Sequence, residues 1–243
     1  MKCLAHLHPT LNGRWFPSAL ESKAFIIAIV VATAFTVTVS TANDESALAE
    51  RSTPNTLVAS GTWITDPFTN GLYAAYSLNG TATDSGPNGL HGIMTTNVSL
   101  ATDRWGRTNM ALRFSGTSSY IRVANFLPSQ STFAACLWVK PDSPGPLAQP
   151  QEIISKHGNP LDTQILVRRD LNGKYGVEWR IGYTSFDIDS PNVGAIEPSY
   201  TCWDFLVVQY TGSKLQFYVN GQLVRELNAS GQIAYCPHTM TFG

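Results

Sequence analysis

From Leu72 onward, short runs of β-branched and aromatic residues alternate with Gly, Pro, Asn and Asp at intervals of roughly ten residues, a rhythm that predicts an all-β sandwich. The clearest strands are expected at Leu72–Leu78, Ala111–Ser115, Tyr120–Ala124, Thr132–Lys140, Gln164–Arg169, Gly176–Gly182, Trp203–Tyr210 and Lys214–Gly221. No stretch keeps the apolar spacing of a helix. Thr211-Gly212-Ser213 joins the last two strands, and Asn220-Gly221 turns the chain into a third, QLVREL, which reads as a β-meander. Alternation puts Phe205, Val207 and Gln209 on one face and Leu206, Val208 and Tyr210 on the other. A strand apolar on both faces belongs in the middle of a sandwich.

The pattern before Leu72 is different. Ala24 to Val39 reads AFIIAIVVATAFTVTV, an uncharged apolar run preceded by Lys23 and followed by the small residues Ser40-Thr41-Ala42. That layout makes residues 1–42 a signal peptide cut after Ala42, or else an uncleaved signal anchor. Lys2, Arg14 and Lys23 precede the run and Asp44, Glu45 and Glu50 follow it, so either outcome carries the rest of the chain out of the cytosol. Residues 43–65 are rich in Ser, Thr, Ala and Asn and read as a flexible linker, leaving 66–243 as one domain. Cys3, His6 and His8 supply too few ligands in the leader for a metal site.

Composition narrows the partners. Charged residues are 14% of the chain, and 16 Lys and Arg against 17 Asp and Glu leave a net charge of −1. With no basic stripe, nucleic acid is excluded as the expected partner. Once Cys3 leaves with the leader, Cys136, Cys202 and Cys236 remain. Cys202 and Cys236 lie at strand margins and are the expected disulfide, with Cys136 buried in an apolar strand as a thiol. Asn79, Asn97 and Asn228 begin sequons and are expected glycan acceptors in a eukaryotic secretory pathway.

Four segments carry a family resemblance: GLYAAYSLNGTATDSGPNGLHG (Gly71 to Gly92), DRWGRTNMALRFSGTSSYIRV (Asp103 to Val123), TFAACLWVKPD (Thr132 to Asp142) and WDFLVVQYTGSKLQFYVNGQLV (Trp203 to Val224). Together and in this order they resemble the laminin-G-like jelly-roll domains of the concanavalin A-like lectin and glucanase superfamily. The resemblance implies a two-sheet antiparallel jelly roll. It also implies a further strand past Met240–Gly243, of the form Asp-Asp-x-Arg-Ile-Tyr, pairing beside the first. The domain is therefore expected to be C-terminally incomplete, with LYAAYSL left at an open edge.

Superfamily glucanases carry Glu-x-Asp-x-x-Glu on one strand. Here the nearest pair, Asp187 and Asp189, lacks the third acid, so no enzyme activity is expected. The expected function is an extracellular module that binds carbohydrate or mediates adhesion. The alternatives are an accessory or truncated part of a glycan-processing enzyme, and a structural module that binds another extracellular protein. Trp179, Tyr183 and Phe186, close in sequence to Asp187 and Asp189, mix stacking rings with groups that bond hydroxyls; Trp105, in an evident loop, is a second candidate. The competing assignment makes Trp179 and Phe186 ordinary core. Trp138 and Trp203 are assigned to the core outright. The superfamily often holds calcium in loops, which nominates Asp84, Asn88 and Asp103 for a structural ion, against a simpler role for Asp84 as the cap of a Gly-rich turn.

Overall fold

The computed structural model describes residues 27–30, 72–116, 118–126, 131–142, 147–158, 163–182, 184–188 and 198–243, of which 27–30 and 185–188 are described as backbone only. These residues form β1 (Ile27–Val30), β2 (Leu72–Tyr76), β3 (Ile93–Met94), β4 (Val98–Ala101), β5 (Ala111–Phe114), β6 (Ile121–Val123), β7 (Phe133–Val139), β8 (Gln151–Lys156), β9 (Ile165–Arg169), β10 (Tyr175–Ile181), β11 (Thr184–Ile188), β12 (Asp204–Tyr210), β13 (Lys214–Val219), β14 (Gln222–Asn228) and β15 (Met240–Phe242), with no helix among them. One sheet runs β14-β13-β12-β7-β1-β2 and the other β11-β10-β9-β8-β15-β6-β3, while β4 and β5 form a separate hairpin. Strand pairing is antiparallel throughout.

The alternation expected of β12 is observed. Leu206, Val208 and Tyr210 enter the shared core with Leu137 of β7 and Phe217 and Val219 of β13, facing Val167, Val177 and Trp179 of the second sheet. The ring of Phe133 meets Trp179 edge-on at 6.1 Å, and Tyr76 meets Phe242 at 5.2 Å, so aromatic edges and faces knit the two sheets together. Tyr175 of β10 donates to Asp204 Oδ2 of β12 at 2.9 Å across the same gap. Burial, reinforced by the Asp204 charge, pushes the Tyr175 phenol well above its ordinary range. Asn220 (φ 52) and Gly221 (φ 82) take the two positive-φ positions of the tight turn between β13 and β14.

β2 does not stand open. On one edge its own loop covers it: Asp84 Oδ1 accepts the Ala75 N–H at 2.8 Å, the Ser85 N–H donates to the Ala75 carbonyl at 2.8 Å, and Asn88 Nδ2 donates to the Tyr73 carbonyl at 2.9 Å. Gly86 permits this closeness, since a Cβ there would lie 3.0 Å from Ala74 Cα. On the other edge lies β1, which pairs with both β2 and β7. The expected open edge is thus corrected.

The expected Cys202–Cys236 bridge is also corrected, because Cys136 and Cys236 carry thiols. Cys236 is fully buried in the run toward β15 of the second sheet, whereas Cys202 leads into β12 of the first. Cys236 lies near Lys156, whose ammonium is buried and donates to the His238 carbonyl at 2.6 Å; burial pulls the Lys156 pKa down and the nearby sulfur opposes that pull. Cys136 is half-buried rather than fully buried.

Candidate functional site

The hairpin of β4 and β5 pairs Ser99 with Arg113 and Ala101 with Ala111, and the Met110 N–H closes it on the Ala101 carbonyl at 3.0 Å. Its loop turns on one carboxylate. Asp103 Oδ1 accepts the N–H groups of Trp105 and Arg107, both at 2.8 Å, and Oδ2 accepts Arg107 Nε at 2.6 Å. Asp103 is buried, and burial alone would raise its pKa. The bonds from the Arg107 backbone, the Arg107 guanidinium and the Trp105 backbone outweigh that and hold it below the ordinary carboxylate value.

A loop fixed this tightly has few conformations left for Trp105, a residue that stays 44% exposed. The guanidinium of Arg104 lies 3.7 Å from the centre of the Trp105 ring and 4.2 Å from that of Trp138, and Arg107 lies 4.6 Å from the Trp105 ring. Trp138 in turn stacks on Phe205 at 5.0 Å with the rings tilted by 36°. Phe205 and Trp138 are direct register partners on β12 and β7, on the face of the first sheet turned away from the core. A stack Phe205–Trp138–Arg104–Trp105 thus rises from that face, and each cation-ring contact contributes roughly 0.5–2 kcal/mol depending on exposure. Burial lowers the Arg104 pKa to about 10, with Asp103 opposing and Arg107 adding to the shift, so the group stays charged at neutral pH.

A second contact anchors the hairpin to the same end of β7. Arg113 forms an ion pair with Asp142 at 2.7 Å, and the two line a cleft of about 340 Å³ with Ser99, Phe114 and Ser115. Both partners are well exposed, so the pair adds little stability. The hairpin and Asp142 beside it therefore offer a ring, guanidinium N–H donors, two hydroxyls and a carboxylate, groups that stack on and bond to a polyhydroxylated ligand.

The other expected site residues fall elsewhere. Trp179 is 1% exposed, because Tyr175, Val177, Trp179 and Ile181 alternate into the core along β10, and its Nε1 has no acceptor among the described residues. It is core rather than a ligand platform. The register pairs Phe186 with Trp179 and Asp187 with Glu178, while Tyr183 and Asp189 lie outside the described residues. Glu178 accepts Thr163 Oγ1 and Arg168 Nη1, each at 3.0 Å, so its carboxylate serves a polar network on the outer face of β9 and β10. Trp138 and Trp203 are only partly buried, and the Trp138 ring lies between Phe205 and Arg104 in the stack rather than wholly in the core. The sequon residues Asn97 and Asn228 are exposed and Asn79 is half-exposed.

The donors nominated for calcium do not fit a hard cation. Asp84 accepts N–H bonds from Ala75, Gly86 and Leu90, and Asp103 accepts from Trp105 and Arg107, so both carboxylates face fixed positive dipoles where a cation would need open oxygens. Asn88 turns its amide N–H to Tyr73. Among the described residues, no three His, Cys, Asp or Glu groups gather as a metal site.

A laminin G family model, described as the concanavalin A-like lectin/glucanases superfamily, matches residues 115–241, just over half of the chain. The chain belongs to this superfamily. Among solved structures, the superfamily member here is similar to mouse laminin α1 domains LG4-5 (13% identity, TM-score 0.39), covering 49% of this chain and 30% of that one. It is similar also to domain 4 of AbnA, a GH43 extracellular arabinanase from Geobacillus stearothermophilus solved with arabinotriose (18% identity, TM-score 0.47), covering 68% of this chain and 79% of that one. A third is the Caenorhabditis elegans galectin LEC-6 (14% identity, TM-score 0.32), covering 63% and 92%. Comparison with curated proteins finds no match. No helix among the described residues is long and apolar enough to cross a membrane.

Proposed function

We propose that this chain is an extracellular, non-catalytic binding module that holds a carbohydrate against Trp105. The observation that carries the proposal is a tryptophan kept 44% exposed at the end of a packed stack, in a loop fixed by a buried carboxylate. An exposed tryptophan without such a scaffold would lose side-chain entropy on binding; here most of that loss has already occurred on folding. The cleft between Arg113 of the same hairpin and Asp142, just past β7, supplies further hydroxyl-bonding groups.

The non-catalytic half of the proposal rests on the sequence, where Asp187 and Asp189 stand without the third acid of the superfamily's Glu-x-Asp-x-x-Glu strand. The uncharged apolar run from Ala24 to Val39, with Lys23 before it, supports display outside the cytosol. The test is a glycan array probed with the purified chain, run beside a reducing-sugar assay on the polysaccharides that score. Retention of defined glycans without sugar release is the expected result. Sugar release by this chain alone would reverse the non-catalytic assignment, and an array without hits would remove carbohydrate as the ligand.

A further inference from the structure

Around Trp105 the positive groups outnumber the carboxylates. Asp103 is fully engaged, since its oxygens accept the Trp105 and Arg107 N–H groups and Arg107 Nε, and its side chain has no exposure. Asp142 is held by Arg113 at 2.7 Å. Arg104 differs from both of these arginines. Its guanidinium lies over the rings of Trp105 and Trp138, at 3.7 and 4.2 Å from their centres, and among the described residues it has no carboxylate or carbonyl partner. A ring face attracts the charge but leaves the fork of N–H donors without an oxygen. Arg104 is partly exposed and none of its nitrogens is a buried atom without a partner, so those donors open to water, whereas Nη2 of Arg107 is shut in.

A second cation stands nearby. Carrying the alternation of β7 one residue past its end puts Lys140 on the side of Trp138, roughly 7 Å further along the chain. Lys140 is exposed and has no carboxylate partner among the described residues. Arg104, Arg107, Arg113 and Lys140 thus stand against Asp103 and Asp142, an excess of two positive charges in a chain whose net charge is −1. A neutral sugar stacked on Trp105 would leave that excess unanswered. An anionic oxygen pair would answer it, because a guanidinium fork matches two such oxygens in both geometry and charge.

We infer that the ligand of the Trp105 surface is an acidic saccharide, a uronate or sulfated chain whose anionic group docks on the open N–H edge of Arg104 with Lys140 beside it. The inference rests on the proposed function, since the stacking ring is what makes the ligand a sugar. Arg104 then has two roles: its flat face supports the Trp105 ring, and its edge selects for charge. Trp105 supplies contact with any sugar ring, and Arg104 and Lys140 decide which rings are preferred.

The test sets acidic glycans beside their neutral parents: polygalacturonate beside its methyl ester, and sulfated galactans beside the same galactans desulfated. Polyglutamate serves as charge without sugar. The purified chain is expected to hold the acidic member of at least one pair about tenfold or more above its neutral parent and above polyglutamate, the size of effect that one hydrogen bond to a charged group gives. High salt should erase the preference, and the pair that responds tells carboxylate from sulfate. Arg104→Lys, which keeps the charge and loses the fork, should lower the acidic-to-neutral ratio several-fold. Lys140→Gln, which leaves the stack intact, should lower it as well. Neutral parents held as firmly as the acidic members, or a ratio unmoved in both variants, would overturn this inference and leave the proposed function standing. Polyglutamate held as firmly as any glycan would reveal a bare charge patch and overturn it too. Silence on every carbohydrate would overturn both.

Discussion

Trp105 and Trp179 each sit beside an arginine in sequence, yet the fold uses them in opposite ways. Trp179 lies within a seven-residue strand whose every second side chain faces the core, and its ring fills space between the sheets against Phe133. Trp105 lies in a loop whose shape is set by Asp103, which leaves it at the surface with the guanidinium groups of Arg104 and Arg107 close to its ring. Composition cannot separate the two; backbone periodicity can. A ring on a regular strand is placed by alternation, whereas a ring in a loop is placed by whatever bonds the loop makes.

The contrast predicts a graded series of stabilities. Trp179→Ala is expected to cost about 3–5 kcal/mol by urea unfolding, the range for emptying a large aromatic site in a core. Trp179→Phe should lose much less, because the indole N–H that it removes has no acceptor among the described residues. Trp105→Ala, which removes the ring contacts of Arg104 and Arg107 but empties no core, should cost about 1–2 kcal/mol. A loss from Trp105→Ala as large as that from Trp179→Ala would collapse the distinction.

Asp103→Ala comes next, with an expected loss of about 1–3 kcal/mol from the orphaned N–H groups of Trp105 and Arg107. Its effect should depend on pH. Because the folded pKa is depressed, the carboxylate contributes fully above the ordinary value of 3.8, and its contribution disappears as the pH falls below that value through the folded pKa. The gap between wild type and Asp103→Ala, measured by thermal unfolding, should therefore narrow in acid. A gap independent of pH would mean that the loop is held by something other than the charge.

Arg104→Gln is expected to lose about 0.5–2 kcal/mol by removing both ring contacts of the guanidinium. It should also make the Trp105 fluorescence more mobile, which anisotropy would detect. The smallest effect is expected from Arg113→Ala, within about 1 kcal/mol and fading at high salt, because the Asp142 pair is exposed.

Much of the sandwich is legible in the sequence because its central strands alternate cleanly and its turns need particular residues. β12, β13 and the Asn220-Gly221 turn fall within a residue or two of their expected bounds. β8 is not foreseen. QEIISK has no clean alternation, and Lys156 enters the interior only because the distant His238 carbonyl meets its ammonium. β4 and β11 are short or polar and take their strand form from a neighbour. β1 is hidden by a different signal, since an uncharged apolar run before a linker reads as a leader whatever else it does. At the site, the loop setting points to Trp105 but not to Arg104, Arg107, Trp138 or Phe205, because the stack joins positions far apart in the chain. Trp138 and Phe205 share the outer parity of their strands, which is the available clue.

The most direct test of the central claim is isothermal titration of one array-identified glycan into wild type, Trp105→Ala and Trp179→Phe under identical conditions. Wild type and Trp179→Phe are expected to bind with the same affinity, while Trp105→Ala, folded to the same extent, loses at least tenfold, equivalent to about 1.4 kcal/mol. Unchanged affinity in Trp105→Ala, or a loss confined to Trp179→Phe, would contradict the account.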